Sequence, residues 1–159
     1  MKIHIRTAAA EDMPAVLKLI NELAVYEQEP EAVEVTVAQL QRDGFGRNPL
    51  FHCFVALFNE EIVGIALVYN RYSTWKGAVL HLEDLIVSQN HRAAGIGSLL
   101  LNEVVRYGAV QGVKRISWEV LDWNESAIAF YESKGANVMR DWNVVQLNEE
   151  GIQQYLQNI

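Results

Sequence analysis

The first quarter of this chain has two patterns of apolar residues, one typical of a strand and one typical of helices. Apolar and polar side chains alternate from Ile3 to Arg6, which predicts a short strand. From Met13 to Ala24 the apolar residues recur three and four positions apart, which is typical of an amphipathic helix. A second, shorter helix is predicted from Val37 to Arg42, before a segment of turn-forming residues.

Strands dominate the middle of the chain. The segments Phe51–Phe58 and Ile62–Tyr69 are apolar and joined by a short polar loop, which predicts an antiparallel hairpin. A third strand is predicted from Val79 to Val87, followed by a turn and a long amphipathic helix that ends near Gly112.

The last third of the chain again combines predicted strands and helices. A strand is predicted from Arg115 to Val120, a helix from Glu125 to Lys134 capped by Asn124, and a strand from Trp142 to Leu147 before a final helix. This order of elements predicts an α/β fold with a mixed sheet, in a single domain over residues 1–159.

Composition and charge exclude several classes of protein. The 50% hydrophobic and 21% charged residues suit one globular domain. A net charge of −7, with 13 scattered Lys and Arg residues, argues against nucleic-acid binding. The longest apolar run, Ile62–Tyr69, is far shorter than the roughly 20 residues that span a bilayer, so we expect no membrane association and a cytoplasmic location. The lone Cys53 is expected to be a buried, inert thiol, and the four dispersed histidines indicate no metal site.

The turn between the third strand and the long helix has the pattern Arg92-x-x-Gly95-x-Gly97. Glycines allow close backbone approach, and a helix N-terminus favours an anion, so this turn predicts a site for a phosphorylated cofactor. It lacks the third glycine of a dinucleotide fingerprint, since Leu100 stands there, and Ser98 stands where a Walker loop has lysine. An ordinary glycine-containing turn is the alternative.

The same turn resembles the coenzyme A pyrophosphate loop of the GNAT acetyltransferases. A second block, W-N-x-x-A-x-x-F-Y-x-x-x-G-A, runs from Trp123 to Ala136 and is also similar to that superfamily. The resemblance implies a mixed, mostly antiparallel sheet that is splayed at the cofactor site, with helices on both faces. It also implies acetyl-CoA as cosubstrate and no metal.

Three parts of the chain are implied by this resemblance to bind the cofactor. The first is the backbone of Leu85, Ile86 and Val87, which would pair with the pantetheine arm. The second is the turn itself: Arg92, Ala93, Ala94, Gly95, Ile96, Gly97 and Ser98. The third is the second block: Asn124, Ser126, Ala127 and Tyr131.

Two carboxylates interrupt the apolar strand before the turn. Strand alternation would send Glu83 and Asp84 to opposite faces of the sheet. The resemblance implies that Glu83 is the catalytic base and that Tyr131 protonates the departing thiolate. The alternatives are a carboxylate bonded to backbone or to His81, and a tyrosine that only packs.

Further segments resemble the diamine acetyltransferase family, and most of all its thialysine N-epsilon-acetyltransferase branch. They are Leu23–Glu27, Asp43–Gly46, Tyr72–Gly77, Leu82–Asp84 and Val120–Asn124. The branch that acts on spermidine and spermine has an aspartate before Trp75, whereas this chain has Ser73 and Thr74. The resemblance therefore implies a small primary amine, such as a thialysine-like amino acid or a short diamine.

Substrate contacts are implied by the family at seven positions. They are Tyr26, Glu27, Trp75, Glu83, Ser117, Trp118 and Glu119. The resemblance also implies a homodimer. A polyamine acetyltransferase, a noncatalytic acetyl-CoA-binding module and acetylation of peptides stay open as alternatives.

Overall fold

The computed structural model describes residues 3–159, which form two compact units that meet in sequence between Glu119 and Val120. Each unit is described by itself. The single domain over residues 1–159 stays a prediction, and its first two residues lie outside the described part of the chain.

A five-stranded sheet forms the centre of the first unit. Its strands are β1 (Ile3–Thr7), β2 (His52–Phe58), β3 (Glu61–Ser73), β4 (Gly77–Val87) and β5 (Ile116–Ser117). They lie in the order β1-β2-β3-β4-β5, and every pair is antiparallel except β4 and β5, which are parallel. The mixed, mostly antiparallel sheet is therefore confirmed.

Three helices of the first unit cover this sheet. They are α1 (Met13–Tyr26), α2 (Val37–Phe45) and α3 (Ile96–Val110). Short 3-10 turns precede α1 at Ala10–Asp12 and follow β4 at Gln89–His91. Thr36 is the N-cap of α2, and its hydroxyl accepts a hydrogen bond from the Gln39 N–H.

Apolar side chains lie on both faces of the sheet. On one face, the first two helices pack against β2, β3 and β4. The helices contribute Met13, Val16, Leu19 and Leu40, and the strands contribute Cys53, Val55, Leu57, Ile65, Leu67 and Ile86. On the other face, Leu100 and Val104 of α3 are fully buried, and the Phe54 and Tyr107 rings meet edge to face at 5.7 Å. Each such burial stabilises the fold by roughly 1.5 to 3 kcal/mol. Helices on both faces are thus confirmed.

The β2–β3 hairpin is closed by two residues in the left-handed region. Asn59 has φ 49° and Glu60 has φ 69°, the backbone of a tight turn that matches the twist of the strands. Glu61 is therefore the first residue of β3, paired with Phe58, and not part of the loop.

Cys53 lies inside β2 with only 3% of its surface exposed. Burial raises the pKa of its thiol to about 12, with smaller contributions from nearby carboxylates. Because the thiolate is the reactive form, the prediction of an inert thiol is confirmed.

The second unit contains two helices, α4 (Glu125–Ser133) and α5 (Glu149–Gln157). The predicted strand from Trp142 to Leu147 is wrong, because the segment forms no regular element. Its apolar residues satisfy the pattern of a strand, but a strand needs a neighbour for its backbone hydrogen bonds. Residues 120–159 contain no other strand to supply one.

Among the described residues, no helix combines the length and the apolar character needed to cross a membrane.

Candidate active site

A β-bulge in β4 falls on Glu83. Leu82 pairs with Val68 of β3 and Asp84 pairs with Leu67, so Glu83 is the extra residue without a partner opposite. A bulge bends its strand and redirects the side chain that it carries. The bulge therefore sets the direction of the residue that the sequence marks as a candidate base.

The prediction that Glu83 and Asp84 lie on opposite faces is wrong for this reason. The Glu83 carboxylate lies 3.7 Å from the His81 Nε2, and its charge adds to burial in raising the pKa of the Tyr69 hydroxyl. Asp84 pairs with Leu67, which belongs to the buried face next to α1 and α2. The Glu83 charge in turn raises the pKa of Asp84, which places the two carboxylates close to each other.

Asp84 has the most strongly shifted carboxyl group that the structure resolves. Burial, followed by the charges of Glu83 and Glu27, raises its pKa to about 6. Burial also raises the pKa of Glu27, at the end of α1. We refer to Glu27, Glu83, Asp84 and Glu119 as the acidic cluster, since their charges act on each other or on the same neighbours.

His81 lies beside this cluster and is 5% exposed. Its Nδ1 lies 3.1 Å from the Ser117 hydroxyl of β5, and its Nε2 lies 3.7 Å from the Glu83 carboxylate. Burial lowers the pKa of the ring, although the Glu83 and Glu119 charges act in the opposite direction. A neutral ring at neutral pH follows from that direction.

The two parallel strands separate just beyond His81. Pairing between β4 and β5 is limited to Leu80 with Ile116 and His81 with Ser117, whereas β4 continues to Val87. The predicted strand from Arg115 to Val120 is therefore reduced to two residues, because the bulge bends β4 away at the next position. The edge of β4 beyond His81, which includes the predicted cofactor-pairing residues, thus has no strand beside it within the described residues.

The glycine turn, residues 88–95, connects β4 to the N-terminus of α3. Ala93 has φ 64° and Gly95, the residue that caps α3, has φ 78°. Residues in these conformations turn successive N–H groups toward one side, and the first N–H groups of a helix have no partner within it. The turn and the 15-residue helix together provide backbone donors for an anion.

Arg92 ties this turn to its surroundings. Its Nε donates to the Val87 carbonyl at 3.1 Å, and its guanidinium lies 4.9 Å from the centre of the Tyr26 ring. Glu22 of α1 lies 4.0 Å from the same guanidinium and accepts a hydrogen bond from the Gln89 N–H at 2.6 Å. The side chain predicted to contact the cofactor thus also fixes the turn against α1 and β4.

The candidate cofactor residues of the second unit lie at the start and middle of α4. Asn124 caps this helix by accepting from the Ala127 N–H at 3.3 Å, and Ser126 donates to the same oxygen at 3.3 Å. The N-cap predicted at Asn124 is confirmed. Tyr131 is half-buried, and its ring lies 5.4 Å from that of Phe130.

The predicted substrate residues of the first unit do not all come together. Glu83 and Ser117 both lie beside His81, and the charges of Glu27 and Glu119 act on Asp84 and His81 respectively. Tyr26 is the residue before Glu27. Trp75 lies instead at the tip of the β3–β4 hairpin with 80% of its surface exposed. It is six residues along the chain from Tyr69, beyond the outermost pair of that hairpin, Ser73 with Gly77. Trp118 directly follows β5 and is half-buried.

Sequence reasoning missed the roles of Tyr69 and Asp84. Tyr69 pairs with His81 across the strands, and burial followed by the Glu83 charge raises its pKa, but a tyrosine at the end of an apolar strand carries no distinguishing pattern. A signal for Asp84 existed, since a carboxylate next to Leu85 and Ile86 in an apolar strand is expected to have a raised pKa.

The candidate site of the first unit has two parts that favour ligands of opposite charge. Carboxylates at the bulge favour a cation, and backbone N–H groups at the glycine turn favour an anion. No group of three or more His, Cys, Asp or Glu side chains in the described residues is arranged to hold a metal ion. The arrangement suits the class of enzymes that bring a basic acceptor to a phosphorylated donor.

Comparison with known proteins agrees with this class. The family model of the GNAT acetyltransferases matches residues 13–136. Thialysine N-epsilon-acetyltransferase of Bos taurus is 34% identical over 163 residues, which cover 96% of each chain. Spermidine/spermine N(1)-acetyltransferase-like protein 1 of Homo sapiens is 38% identical over 92% of this chain, although the match spans 23% of that longer protein.

A solved structure shows the same fold. An integron cassette protein from the mobile metagenome of V. cholerae superimposes with a TM-score of 0.80, covering 99% of both chains at 20% identity. The chain belongs to the GNAT family of acetyltransferases. The predicted GNAT fold and the prediction of an amine N-acetyltransferase are confirmed.

Proposed function

We propose that this protein transfers the acetyl group of acetyl-CoA to a primary amine of a small substrate. The amine is a thialysine-like amino acid or a short diamine, and it attacks the thioester directly. The observation that carries this proposal is the acidic cluster, assembled around the bulge in β4 of a GNAT acetyltransferase.

The acidic cluster suits an ammonium group. Burial raises the pKa of Asp84, and the negative charges of Glu83 and Glu27 raise it further. A cation placed among them would relieve this repulsion, and the Coulomb attraction is large where water is partly excluded. Tyr69, whose pKa is raised by burial and then by the Glu83 charge, adds aromatic surface beside this carboxylate, which also favours a cation.

Deprotonation of the amine is the first chemical requirement. An alkyl ammonium with a pKa of about 10.4 costs roughly 4 to 5 kcal/mol to deprotonate at pH 7. Glu83 would receive this proton, directly or through an ordered water. Its side chain is 53% exposed, so both the amine and water have access to it.

Two further groups would assist the transfer. Attack forms the C–N bond and places negative charge on the carbonyl oxygen, which a backbone N–H near Ile86 on the open edge of β4 would stabilise. When the C–S bond breaks, the Tyr131 hydroxyl would protonate or hydrogen-bond the leaving thiolate. Both roles come from the family resemblance.

The glycine turn is the proposed binding site for the coenzyme pyrophosphate. The N–H groups of residues 92–98, at the end of the turn and the start of α3, would hold the two phosphates. The backbone of Leu85, Ile86 and Val87 would pair with the pantetheine amides along the open edge of β4. In the second block, Asn124, Ser126 and Ala127 are proposed to contact the same cofactor.

We also propose a homodimer in the cytoplasm, as the family resemblance implies. Light scattering of the purified protein tests the assembly, since a dimer has twice the 18.0 kDa mass of the chain.

A polyamine is the second candidate substrate. It is favoured by the 38% identity to a spermidine/spermine acetyltransferase-like protein. A short amine is preferred because Ser73 and Thr74 stand where the polyamine branch has an aspartate before Trp75.

A steady-state comparison of amines tests the proposal. Thiol release from acetyl-CoA would be followed with thialysine, lysine, putrescine and spermidine, and the acetylated product would be identified by mass spectrometry. We expect the highest kcat/KM with thialysine or a short diamine. Preference for spermidine would support the second candidate, and acetyl-CoA binding without transfer to any amine would indicate a noncatalytic module.

A further inference from the structure

His81 is the buried charged or polar side chain that the proposed mechanism leaves unused. Within the described residues, no other polar or charged residue is as buried. Both of its ring nitrogens face a hydrogen-bonding group, with the Ser117 hydroxyl at 3.1 Å from Nδ1 and the Glu83 carboxylate at 3.7 Å from Nε2. The ring therefore connects the proposed base to a hydroxyl on the neighbouring strand.

We propose that His81, with Ser117 behind it, is a proton relay that extends Glu83. The inference rests on the proposed function, because it concerns the proton released by the amine. His81 acts through Glu83 and is therefore a positioning and relay residue that does not itself touch the substrate.

The chemistry of the ring allows this step. A neutral imidazole has one N–H donor and one acceptor nitrogen. With the proton on Nδ1, His81 donates to the Ser117 oxygen and presents a free lone pair on Nε2 toward Glu83. Because the serine hydroxyl also donates, it satisfies either form of the ring.

The proton of the ammonium passes through the relay in three steps. Glu83 takes the proton from the ammonium, which leaves the amine nitrogen with its lone pair for attack. The carboxyl proton then passes to His81 Nε2, so that Glu83 is ionised again and the ring becomes imidazolium with Nδ1–H bonded to Ser117. After the product leaves, the proton returns through Glu83 to solvent. The 3.7 Å separation exceeds a hydrogen bond and would have to shorten by roughly 0.5 to 1 Å in the substrate complex.

The groups around the ring favour such a role. Glu83 on β4 and Glu119 after β5 stabilise the imidazolium, whereas Arg71 on β3 opposes it. The Tyr69 ring on β3 lies 5.2 Å from the His81 ring. Burial nevertheless lowers the pKa of His81, so the ring is neutral and able to accept a proton near pH 7.

The first test measures the coupling of the two groups without catalysis. The imidazole of His81 would be titrated by NMR in the wild-type protein and in Glu83→Gln. Because the Glu83 charge raises the His81 pKa, the variant should titrate at lower pH. His52, whose pKa is also lowered by burial, serves as the internal control and should be unchanged. An unchanged His81 titration would overturn the relay.

The second test is a pH profile of turnover. His81→Gln should lower kcat by about 10- to 100-fold at pH 7, with the KM for acetyl-CoA unchanged, and the deficit should shrink as the free amine becomes abundant. Ser117→Ala should give a smaller loss of kcat with the same dependence on pH. If the His81→Gln variant does not fold, this second variant tests the relay. His52→Gln, which alters a ring stacked on Tyr107 at 4.5 Å, is the matched control with unchanged kcat.

The outcomes separate the two proposals. A wild-type protein that acetylates an amine, with His81 and Ser117 variants whose losses are absent or independent of pH, overturns the relay alone. A wild-type protein that acetylates no amine overturns the proposed function and the relay with it.

Discussion

The bulge that carries Glu83 and Asp84 of the acidic cluster lies fewer than ten residues before the glycine turn, yet the cluster and the turn work by different means. At the cluster, side chains carry the chemistry, and the bulge at Glu83 determines where they point. At the turn, the backbone carries it, through the conformations of Ala93 and Gly95 and the start of α3. A strand that continues into such a turn can thus offer negative charge to one reactant and N–H donors to the other.

This difference predicts how each region responds to mutation. Isosteric changes that remove a charge should damage the cluster and leave the turn unaffected. Changes that strain the backbone should damage the turn and leave the chemistry of the bound reactants unaffected.

The largest effect is expected for Glu83→Gln. Loss of the proposed base should lower kcat/KM by about a thousandfold at pH 7. The deficit should shrink as pH rises, because the free amine then becomes abundant. The rate of acetyl transfer between pH 6 and 10 measures this, with Glu61→Gln at the exposed start of β3 as control. A defect of equal size at every pH would contradict the role of a base.

The next largest effect concerns stability at Asp84. Its pKa rises from 3.8 unfolded to about 6 folded, so the folded state favours the protonated form. The stabilisation is present below pH 4 and is lost as pH rises through about 6, at a cost of up to about 3 kcal/mol. Asp84→Asn should remove this loss and be more stable than wild type at pH 8.

Urea unfolding at pH 4.5 and pH 8 checks the prediction for Asp84. Asp122→Asn, at an exposed position of the second unit, should keep the wild-type pH dependence. If the Asp84 variant also kept it, the assignment of the shifted group would be wrong.

A somewhat smaller loss is expected for Tyr131→Phe. Removal of the proposed thiolate proton donor should lower kcat by about a hundredfold, while the affinity for acetyl-CoA stays close to that of wild type. Tyr155→Phe, in the exposed part of α5, is the control and should retain full turnover. Wild-type turnover of the Tyr131 variant across the pH range would refute the role of an acid.

The smallest effect tests the turn, with two glycines that are alike in structure. Gly95 has φ 78° and Gly112 has φ 69°, and an added Cβ would meet no atom within 4 Å at either. Substitution by alanine should therefore cost both about 1 kcal/mol of backbone strain. Only Gly95→Ala should weaken acetyl-CoA binding, by about tenfold, because only this strain lies at the cofactor turn. Equal affinities of the two variants would contradict backbone recognition there.

Much of this architecture could be predicted from sequence because it depends on local periodicity. The spacing of apolar residues predicted α1, and glycine predicted the end of α3, where Gly112 adopts a positive φ. Asn124 was predicted as a cap because a short polar side chain there accepts from the helix.

The errors have a common physical origin, since each depends on a partner distant in sequence. Alternation in β4 assumes one residue per position, and only the register against β3 reveals the extra residue at Glu83. The shortness of β5 follows from that bend. The segment from Trp142 to Leu147 has the composition of a strand, but composition supplies no neighbour to pair with.

The central claim is that the glycine turn binds the coenzyme of acetyl-CoA. Isothermal titration calorimetry of acetyl-CoA into the purified protein tests it most directly. The account predicts saturable heat with one site per chain and a dissociation constant of about 1 µM to 1 mM, and a weaker constant for Gly95→Ala than for Gly112→Ala. Absence of binding heat in the wild-type protein, at several temperatures, would contradict the account.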